Sequence, residues 1–190
     1  AVLGACPLFG QTSGKLTLEK WDNLSSANTI VELQKDEISK RAADSVTLID
    51  GASFNSLGNA YGARMRGFIT APVSGFFTFY CAGDDNCAFW LSTDDKSVNK
   101  KKLAYQMNWT SLNQWTKYAT QKSVEVQLVA GQKYYIEAQV KEGAGGDSLS
   151  IGYEYVSSDV KNWVLEDGVT ATQSSTGRGG EASRAIDGNT

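Results

Sequence analysis

The chain lacks histidine altogether, and this absence narrows its chemistry. Histidine is the commonest general base and the commonest transition-metal ligand, so its absence excludes a Ser-His-Asp or Cys-His catalytic arrangement. Oxygen ligands dominate among the remaining side chains. A metal site in this protein would therefore favour calcium over zinc.

Strong charge and long apolar runs are also missing. Lys and Arg number 18 against 21 Asp and Glu, for a net charge of -3, which argues against a nucleic-acid partner. No apolar stretch approaches the ~20 residues that span a bilayer, so we expect no membrane insertion, and no signal peptide is visible. At 190 residues and 41% hydrophobic content, the chain can form one cored domain, or one domain plus a fragment.

The stretch Cys81-Ala-Gly-Asp-Asp-Asn-Cys87 places two adjacent carboxylates, Asp84 and Asp85, and the amide of Asn86 in one short loop. The apolar runs on either side have the composition of strands, so the acids lie at a hairpin tip. Neighbouring ionised carboxylates repel each other, and a hard divalent cation reverses that repulsion by taking oxygen ligands from both. The loop predicts a calcium site, and an exposed calcium ion in a β-protein indicates recognition of an oxygen-rich ligand such as a sugar.

Only three cysteines are present, at positions 6, 81 and 87. An odd count in a secreted protein indicates a free thiol or a partner outside this segment. Cys81 and Cys87 flank the acidic loop and can close a small ring that orders the acids. Alternatively, Cys6 bonds one of them, or Cys81 is simply a small buried apolar residue.

Apolar and polar residues alternate along much of the chain, which is typical of strands, and turn sequences separate these runs. Only residues 31–44 have weakly helical character. Many short strands with regular turns predict an all-β sandwich or barrel. Arg64 and Arg66 share one strand face, which permits structural ion pairs with Glu137 or Glu154.

Strand directions link the acidic loop with a glycine-rich loop at 143–147. If 76–81 runs up and 124–128 runs down, then 134–141 runs up, and both loops lie at the same end of the sandwich. The second loop adds the carboxylate of Asp147 and backbone carbonyls, and calcium takes ~6–8 such oxygens. The alternative is that its glycines only form a hairpin turn.

Several motifs, in order, resemble the PA14 domain family. They include 61–80, 115–118, 128–138, Ala82-Gly-Asp-Asp-Asn-Cys-Ala-Phe-Trp-Leu-Ser92 and Lys141-Glu-Gly-Ala-Gly-Gly-Asp147. The resemblance implies a twisted β-sandwich with short helical or irregular insertions. Sugar-binding members hold calcium on two aspartates joined by a cis peptide, and the ion contacts vicinal sugar hydroxyls. Here that implies Asp84 and Asp85, with Asp147 and the backbone of Gly145 and Gly146 completing the shell.

A second resemblance begins at Asn162-Trp-Val-Leu-Glu-Asp-Gly-Val and continues to position 190. It is similar to the opening of a discoidin or fucose-lectin (F-type) domain. We therefore expect an N-terminal extension at 1–14, the PA14-like domain at 15–156, a linker at 157–162 and a discoidin-like fragment at 163–190. Such a fragment cannot bury a core alone, so we expect the natural chain to continue or the fragment to fold against a neighbour.

Four further polar or aromatic positions are candidates for sugar contacts or for glycosylation. Asn86 and the ring of Trp109, which lies between polar residues, are candidate sugar contacts. Sequons at Asn23 and Asn108 permit glycosylation in a secretory setting.

These features predict a calcium-dependent carbohydrate-binding module for adhesion, in a secreted or cell-surface multidomain protein, with glycans as partners. The alternative is a building block of an extracellular matrix or filament, in which calcium only stabilises a loop and the C-terminal segment supports self-assembly. An enzyme is not expected, because adjacent carboxylates in one loop converge on a cation rather than flank a glycosidic bond.

Overall fold

The structure is a computed structural model that describes residues 4–5, 15–24, 29–34 and 41–158. Cys6 and the predicted discoidin-like fragment at 163–190 lie outside the described residues, as does most of the predicted N-terminal extension and linker. The predicted division into domains therefore stays a prediction.

Eleven strands make up most of the described chain, in keeping with the alternating sequence pattern. They are β1 (Gly4–Ala5), β2 (Lys15–Trp21), β3 (Ser45–Asp50), β4 (Ser53–Asn55), β5 (Tyr61–Thr70), β6 (Gly75–Asp84), β7 (Asn86–Leu91), β8 (Lys101–Gln106), β9 (Val126–Leu128), β10 (Lys133–Glu142) and β11 (Ser148–Ser157).

Helical structure is short wherever the chain is described. One helix, α1, spans Ile30–Leu33, and two 3-10 helices span Ser97–Asn99 and Ala119–Gln121. The weakly helical stretch at 31–44 therefore supplies only part of one helical turn among its described residues. No helix in the described ranges has the length and apolar character needed to cross a membrane.

The strands form two antiparallel sheets. One has the order β1-β11-β6-β9, with β4 also pairing β11, and the other has the order β3-β2-β5-β10-β7-β8. Both sheets contribute to a single apolar core, which includes Leu16, Tyr61, Met65, Phe77, Phe79, Phe89, Ile136, Val140, Leu149 and Ile151. The prediction of an all-β sandwich is confirmed.

The register of the central strands brings four strand ends together. In one sheet, Asp84 at the end of β6 lies opposite Ser148 at the start of β11. In the other sheet, Asn86 at the start of β7 lies opposite Lys141, near the end of β10. The acidic loop and the glycine-rich loop consequently meet at one end of the sandwich, as the strand directions predict.

Candidate functional site

The acidic loop is held in position by buried side chains from another part of the chain. The peptide bond between Asp84 and Asp85 is cis. The hydroxyl of Thr110 accepts a hydrogen bond from the Gly83 amide at 2.8 Å and donates one to the Gly83 carbonyl oxygen at 3.1 Å. Gln106 Nε2 donates to the carbonyl oxygens of Gly83 and Asp85, at 2.6 and 3.0 Å. The backbone on both sides of Asp84 is therefore fixed by hydrogen bonds.

Glycine is required at position 83 by the packing of this loop. A Cβ there would lie 2.9 Å from Cys87 Cβ and 3.0 Å from the carbonyl oxygen of Ser148. Neither distance is compatible with a side chain unless the hairpin or β11 shifts.

Three carboxylates converge at this end of the sandwich. Ligand oxygens of Asp84, Asp85 and Glu142 all lie within 4.8 Å of one another. Asp84 and Asp85 are half-buried, whereas Glu142, the last residue of β10, has 0% exposure. The sequence motifs pointed to the two aspartates but not to Glu142.

The Glu142 carboxylate is unusual because neither of its oxygens has a hydrogen-bond partner among the described residues, although both are buried. Its neighbour Asp85 is better satisfied, since Asp85 Oδ2 accepts from the Gly143 amide at 2.9 Å. That bond also joins the acidic loop directly to the glycine-rich loop.

The electrostatics of the cluster reflect this concentration of negative charge. Burial, followed by the charges of Asp85, Asp84 and Asp147, raises the pKa of Glu142 to about 7. Burial, followed by Asp85 and Asp147, also raises the pKa of Asp84, and the Lys117 ammonium partly offsets this effect. A cation among these oxygens would remove the repulsion that raises both pKa values.

Asp147 lies beside the cluster and anchors a third loop. Its Oδ2 accepts hydrogen bonds from the Leu57 amide at 2.6 Å and from the Tyr61 hydroxyl at 2.7 Å. Burial and the Asp147 carboxylate raise the pKa of Tyr61, so the phenol remains a donor. Asp147 thus holds the connection between β4 and β5 against the site, and its predicted role as a metal ligand stays a prediction.

The two predicted glycines approach the acids through their backbone. Gly145 has a φ of 120° and donates its amide hydrogen to Asn59 Oδ1 at 3.1 Å. A Cβ on Gly146 would lie 3.3 Å from Asp84 Oδ2. The absence of a side chain at Gly146 therefore leaves space in front of the Asp84 carboxylate.

An open polar cleft of about 540 Å³ runs along one side of the acids. It is lined by Asn55, Ser56, Gly58, Asn59, Asp84, Thr110, Ser111, Leu112, Gly145, Gly146, Asp147 and Ser148. Its lining of carboxylate, amide and hydroxyl groups, with exposed backbone, suits a polar ligand better than an apolar one.

The two predicted sugar-contacting residues occupy different surroundings. Asn86 is 5% exposed and its Oδ1 accepts a hydrogen bond from the Ile30 amide at 3.2 Å, so it supports α1 and does not line the cleft. Trp109 is 54% exposed, as expected, and precedes the cleft residue Thr110. Lys117 Nζ lies 3.3 Å from the centroid of the Trp109 ring, so one face of the indole is covered by an ammonium group.

The two cysteines of the hairpin lie side by side. Cys81 and Cys87 are free thiols, both with 0% exposure, and their Sγ atoms are 2.8 Å apart. Burial and the neighbouring thiol raise the pKa of Cys81. A disulfide between them stays a prediction, as does glycosylation of Asn23 and Asn108, which are both exposed.

The residues present fit a calcium ion. The three ligand atoms of the cluster are carboxylate oxygens, and the buried carboxylate of Glu142 has no hydrogen-bond partner in the described ranges; a hard divalent cation prefers such oxygen ligands.

Comparison with known proteins identifies the family to which the chain belongs. A model of the PA14 domain matches residues 12–167. The mouse N-acetyl-beta-glucosaminyl-glycoprotein 4-beta-N-acetylgalactosaminyltransferase 1 is 34% identical over 98 residues, which are 49% of this chain and 10% of that protein. Human fibrocystin-L is 29% identical over 143 residues, which are 74% of this chain and 3% of that protein. The chain thus corresponds to a small part of the curated relatives it matches.

Solved structures share the fold at low identity. The PA14 sugar-binding domain from an RTX adhesin has a TM-score of 0.56 and 11% identity, covering 75% of this chain and 90% of that domain. The epithelial adhesin 9 A domain from Candida glabrata, in complex with Galb1-4GlcNAc, has a TM-score of 0.55 and 10% identity, covering 79% and 90%.

Proposed function

Because the chain belongs to the PA14 domain family, we propose that it is a calcium-dependent carbohydrate-binding module of a secreted or cell-surface multidomain protein. The observation that carries the proposal is the convergence of the Asp84 and Asp85 carboxylates beside an open polar cleft that Asp84 lines. Two of the structures that share the fold are described as a sugar-binding domain and as an adhesin bound to a disaccharide, which supports a glycan as the ligand.

In this proposal the acidic loop and the glycine-rich loop share one ion. Asp84 and Asp85 supply carboxylate oxygens, and Asp147 with the carbonyls of Gly145 and Gly146 supplies others. When bound, calcium neutralises the acids and offers open coordination positions to sugar hydroxyls. The protein's own contribution is a loop already fixed by Thr110 and Gln106.

Specificity in this proposal comes from the four segments that line the cleft, at 55–59, at Asp84, at 110–112 and at 145–148. The side chains of Ser56, Asn59 and Ser111 offer hydroxyl and amide groups at hydrogen-bonding range of a ligand in the cleft. Trp109, which precedes the cleft residue Thr110 in the chain, offers an exposed aromatic ring, and aromatic faces pack on sugar CH groups.

We do not propose an enzyme. Asp84 and Asp85 are adjacent in one loop, and their ligand oxygens converge with that of Glu142 within 4.8 Å, whereas glycosidase carboxylates lie on either side of the glycosidic bond. This spacing supports convergence on one ion. The transferase relative matches over only 10% of its own length and does not bring its activity to this chain.

The test is a glycan array that includes galactose-terminated disaccharides, probed with calcium chloride and with EDTA. We expect binding that EDTA abolishes and that Asp85→Asn removes, while circular dichroism shows an intact β fold. Asp95→Asn, at an exposed turn, is the matched control and should bind as the unaltered protein does. Equal binding in EDTA, or by Asp85→Asn, would contradict the proposal.

A second candidate, a building block of an extracellular assembly, is favoured by one observation. β3 is an edge strand, and its Val46 and Leu48 are 61% and 64% exposed. Exposed apolar edges pair readily with other chains. Two results together would support assembly: the protein binds no sugar on the glycan array, and its molecular mass, measured by light scattering, rises with protein concentration.

A further inference from the structure

Glu142 is not explained by the ligands proposed above. It ends β10 with 0% exposure, and within the part of the chain that the structure describes both of its carboxylate oxygens lack a hydrogen-bond partner. A buried carboxylate without partners is costly in either protonation state, because the charged form needs a counter-charge and the neutral form still needs an acceptor for its proton.

The apolar packing of β10 does not require an acid at this position, and the buried ammonium of Lys141 donates to the carbonyl oxygen of Glu142 and not to its carboxylate. Inward-facing residues of β10 alternate with period two, and Val140, two residues earlier, is a fully buried apolar side chain in the core. A neutral side chain at 142 would avoid the desolvation cost. The carboxylate is therefore best explained by a ligand that it contacts.

The position of the Glu142 carboxylate indicates which ligand it contacts. Its oxygen lies within 4.8 Å of ligand oxygens of both Asp84 and Asp85. Carboxylate oxygens within that spacing need to move by no more than a few tenths of an ångström for all three to contact a single ion placed among them at calcium-oxygen distances of about 2.3–2.6 Å.

We propose that Glu142 is a third carboxylate ligand of the cation, and that it binds the ion from the buried side opposite the cleft. This inference rests on the proposed function, which assigns the ion to Asp84 and Asp85. It adds that the protein alone supplies enough charge to hold the ion before any sugar is present.

The charges nearby agree with a divalent ion. Four carboxylates, those of Asp84, Asp85, Glu142 and Asp147, act on one another. Lys117 acts on Asp84, and Lys141, which is 1% exposed, acts on Glu142. With all four carboxylates ionised, as they would be around a cation, four negative groups against two positive groups leave a formal charge of two negative units, which one calcium ion neutralises.

A third ligand from β10 also changes what the ion does mechanically. Asp84 ends β6 in one sheet, whereas Glu142 ends β10 in the other. An ion bound by both residues links the two sheets at the ligand-binding end. Calcium should therefore stabilise the whole sandwich, and not only the loop.

The experiment measures calcium chloride binding by calorimetry, without sugar, for the unaltered protein, for Glu142→Gln and for Glu125→Gln as an exposed control. We expect Glu142→Gln to bind calcium at least 10-fold more weakly and the control to bind normally. In EDTA, Glu142→Gln should melt at the same temperature as the unaltered protein or higher, because it removes an unpaired buried acid. In calcium, it should lose most of the rise in melting temperature.

The outcomes separate this inference from the proposed function. Absence of calcium binding by the unaltered protein would overturn both. Normal binding by the unaltered protein and equal binding by Glu142→Gln would overturn the role of Glu142 alone. If Glu142→Gln fails to fold, terbium chloride luminescence of Glu142→Asp provides the test, since the shorter acid keeps the charge but withdraws its oxygens. Unchanged terbium affinity in Glu142→Asp would also overturn the inference.

Discussion

Replacing Thr110 by valine tests whether the acidic loop is held in place before any ligand binds. Thr110 has 0% exposure, and its hydroxyl makes two hydrogen bonds to Gly83, at 2.8 and 3.1 Å. Valine has nearly the same shape, so the packing is kept and only the hydroxyl is lost. The backbone bond from the Thr110 amide to the Gly83 carbonyl oxygen remains.

The expected cost follows from the group that loses its partner. The Gly83 amide lies in a buried strand end, and an unpaired buried donor costs about 1–3 kcal/mol. We expect Thr110→Val to lower the free energy of unfolding by about 2 kcal/mol. With a urea m-value of about 2 kcal/mol/M, the midpoint should fall by about 1 M.

The loop should also become less ordered, and calcium must then order it on binding. If about 1 kcal/mol of the lost free energy appears in binding, calcium affinity falls roughly fivefold. The assays are urea unfolding in EDTA and calcium calorimetry, on protein made in bacteria because the change also removes the Asn108 sequon. Thr116→Val, at an exposed threonine, is the control. A loss of less than about 0.5 kcal/mol with unchanged calcium affinity would refute the reasoning.

Three further predictions address other parts of the structure. Refolding with oxidised glutathione should join Cys81 and Cys87 in a disulfide, as the two thiols pass two protons and two electrons to one glutathione disulfide. The new bond should add about 2 kcal/mol to the free energy of unfolding, and reduction should remove this gain. A protein mass that is unchanged after refolding and removal of glutathione would contradict this prediction. Gly146→Ala should weaken calcium binding without loss of fold, because its Cβ would lie 3.3 Å from a carboxylate oxygen of the site; an unchanged calorimetric titration would contradict it. Burial opposes ionisation of Glu19, but the hydrogen bonds from two arginines on β5 outweigh burial and lower the pKa of Glu19. The stability that these ion pairs provide is therefore present above the pKa of Glu19 in the unfolded chain, and it is lost as the pH falls through the pKa in the folded protein. Urea unfolding between pH 3 and 7 should show about 1 kcal/mol less acid sensitivity in Glu19→Gln than in the unaltered protein, and equal pH profiles would contradict this.

Periodicity predicted the strands well where one face is buried. The alternating stretches at 63–70, 134–141 and 148–154 lie within β5, β10 and β11. The stretch beginning at 124 was predicted less well, because β9 begins at Val126 and Val124 is exposed. Alternation indicates which side chains share a face, but the length of pairing depends on the neighbouring strand.

Ion-pair partners could not be predicted from the same pattern. Arg64 and Arg66 were expected to pair with Glu137 or Glu154, but both bind Glu19, at 2.6 and 3.0 Å. This prediction was wrong because β2 lies beside β5, and strand order is not encoded in the alternation. The charged residues facing one another across a sheet depend on that order.

The periodicity of the sequence indicates that Glu142 is buried, although comparison of motifs does not single out this residue. Tyr134, Ile136, Ala138 and Val140 alternate as the inward residues of β10, and Glu142 continues the same phase. An acid in phase with core residues is buried unless the strand has ended. In this protein the strand extends through 142, so the phase places the carboxylate beneath the acidic loop.

The ion-binding part and the ligand-selecting part of this site depend on different features of the chain. Asp84 and Glu142 are positioned by strand pairing within the two sheets, and Tyr61, with 0% exposure, fixes Asp147 from within the core. The cleft wall, in contrast, includes exposed loop residues such as Ser111 and Leu112. Substitutions at such exposed positions usually change stability by less than about 0.5 kcal/mol. Exchanging Ser111 or Leu112 should therefore alter which ligand is held while calcium affinity stays constant, so that cation binding and ligand choice can change independently in this chain.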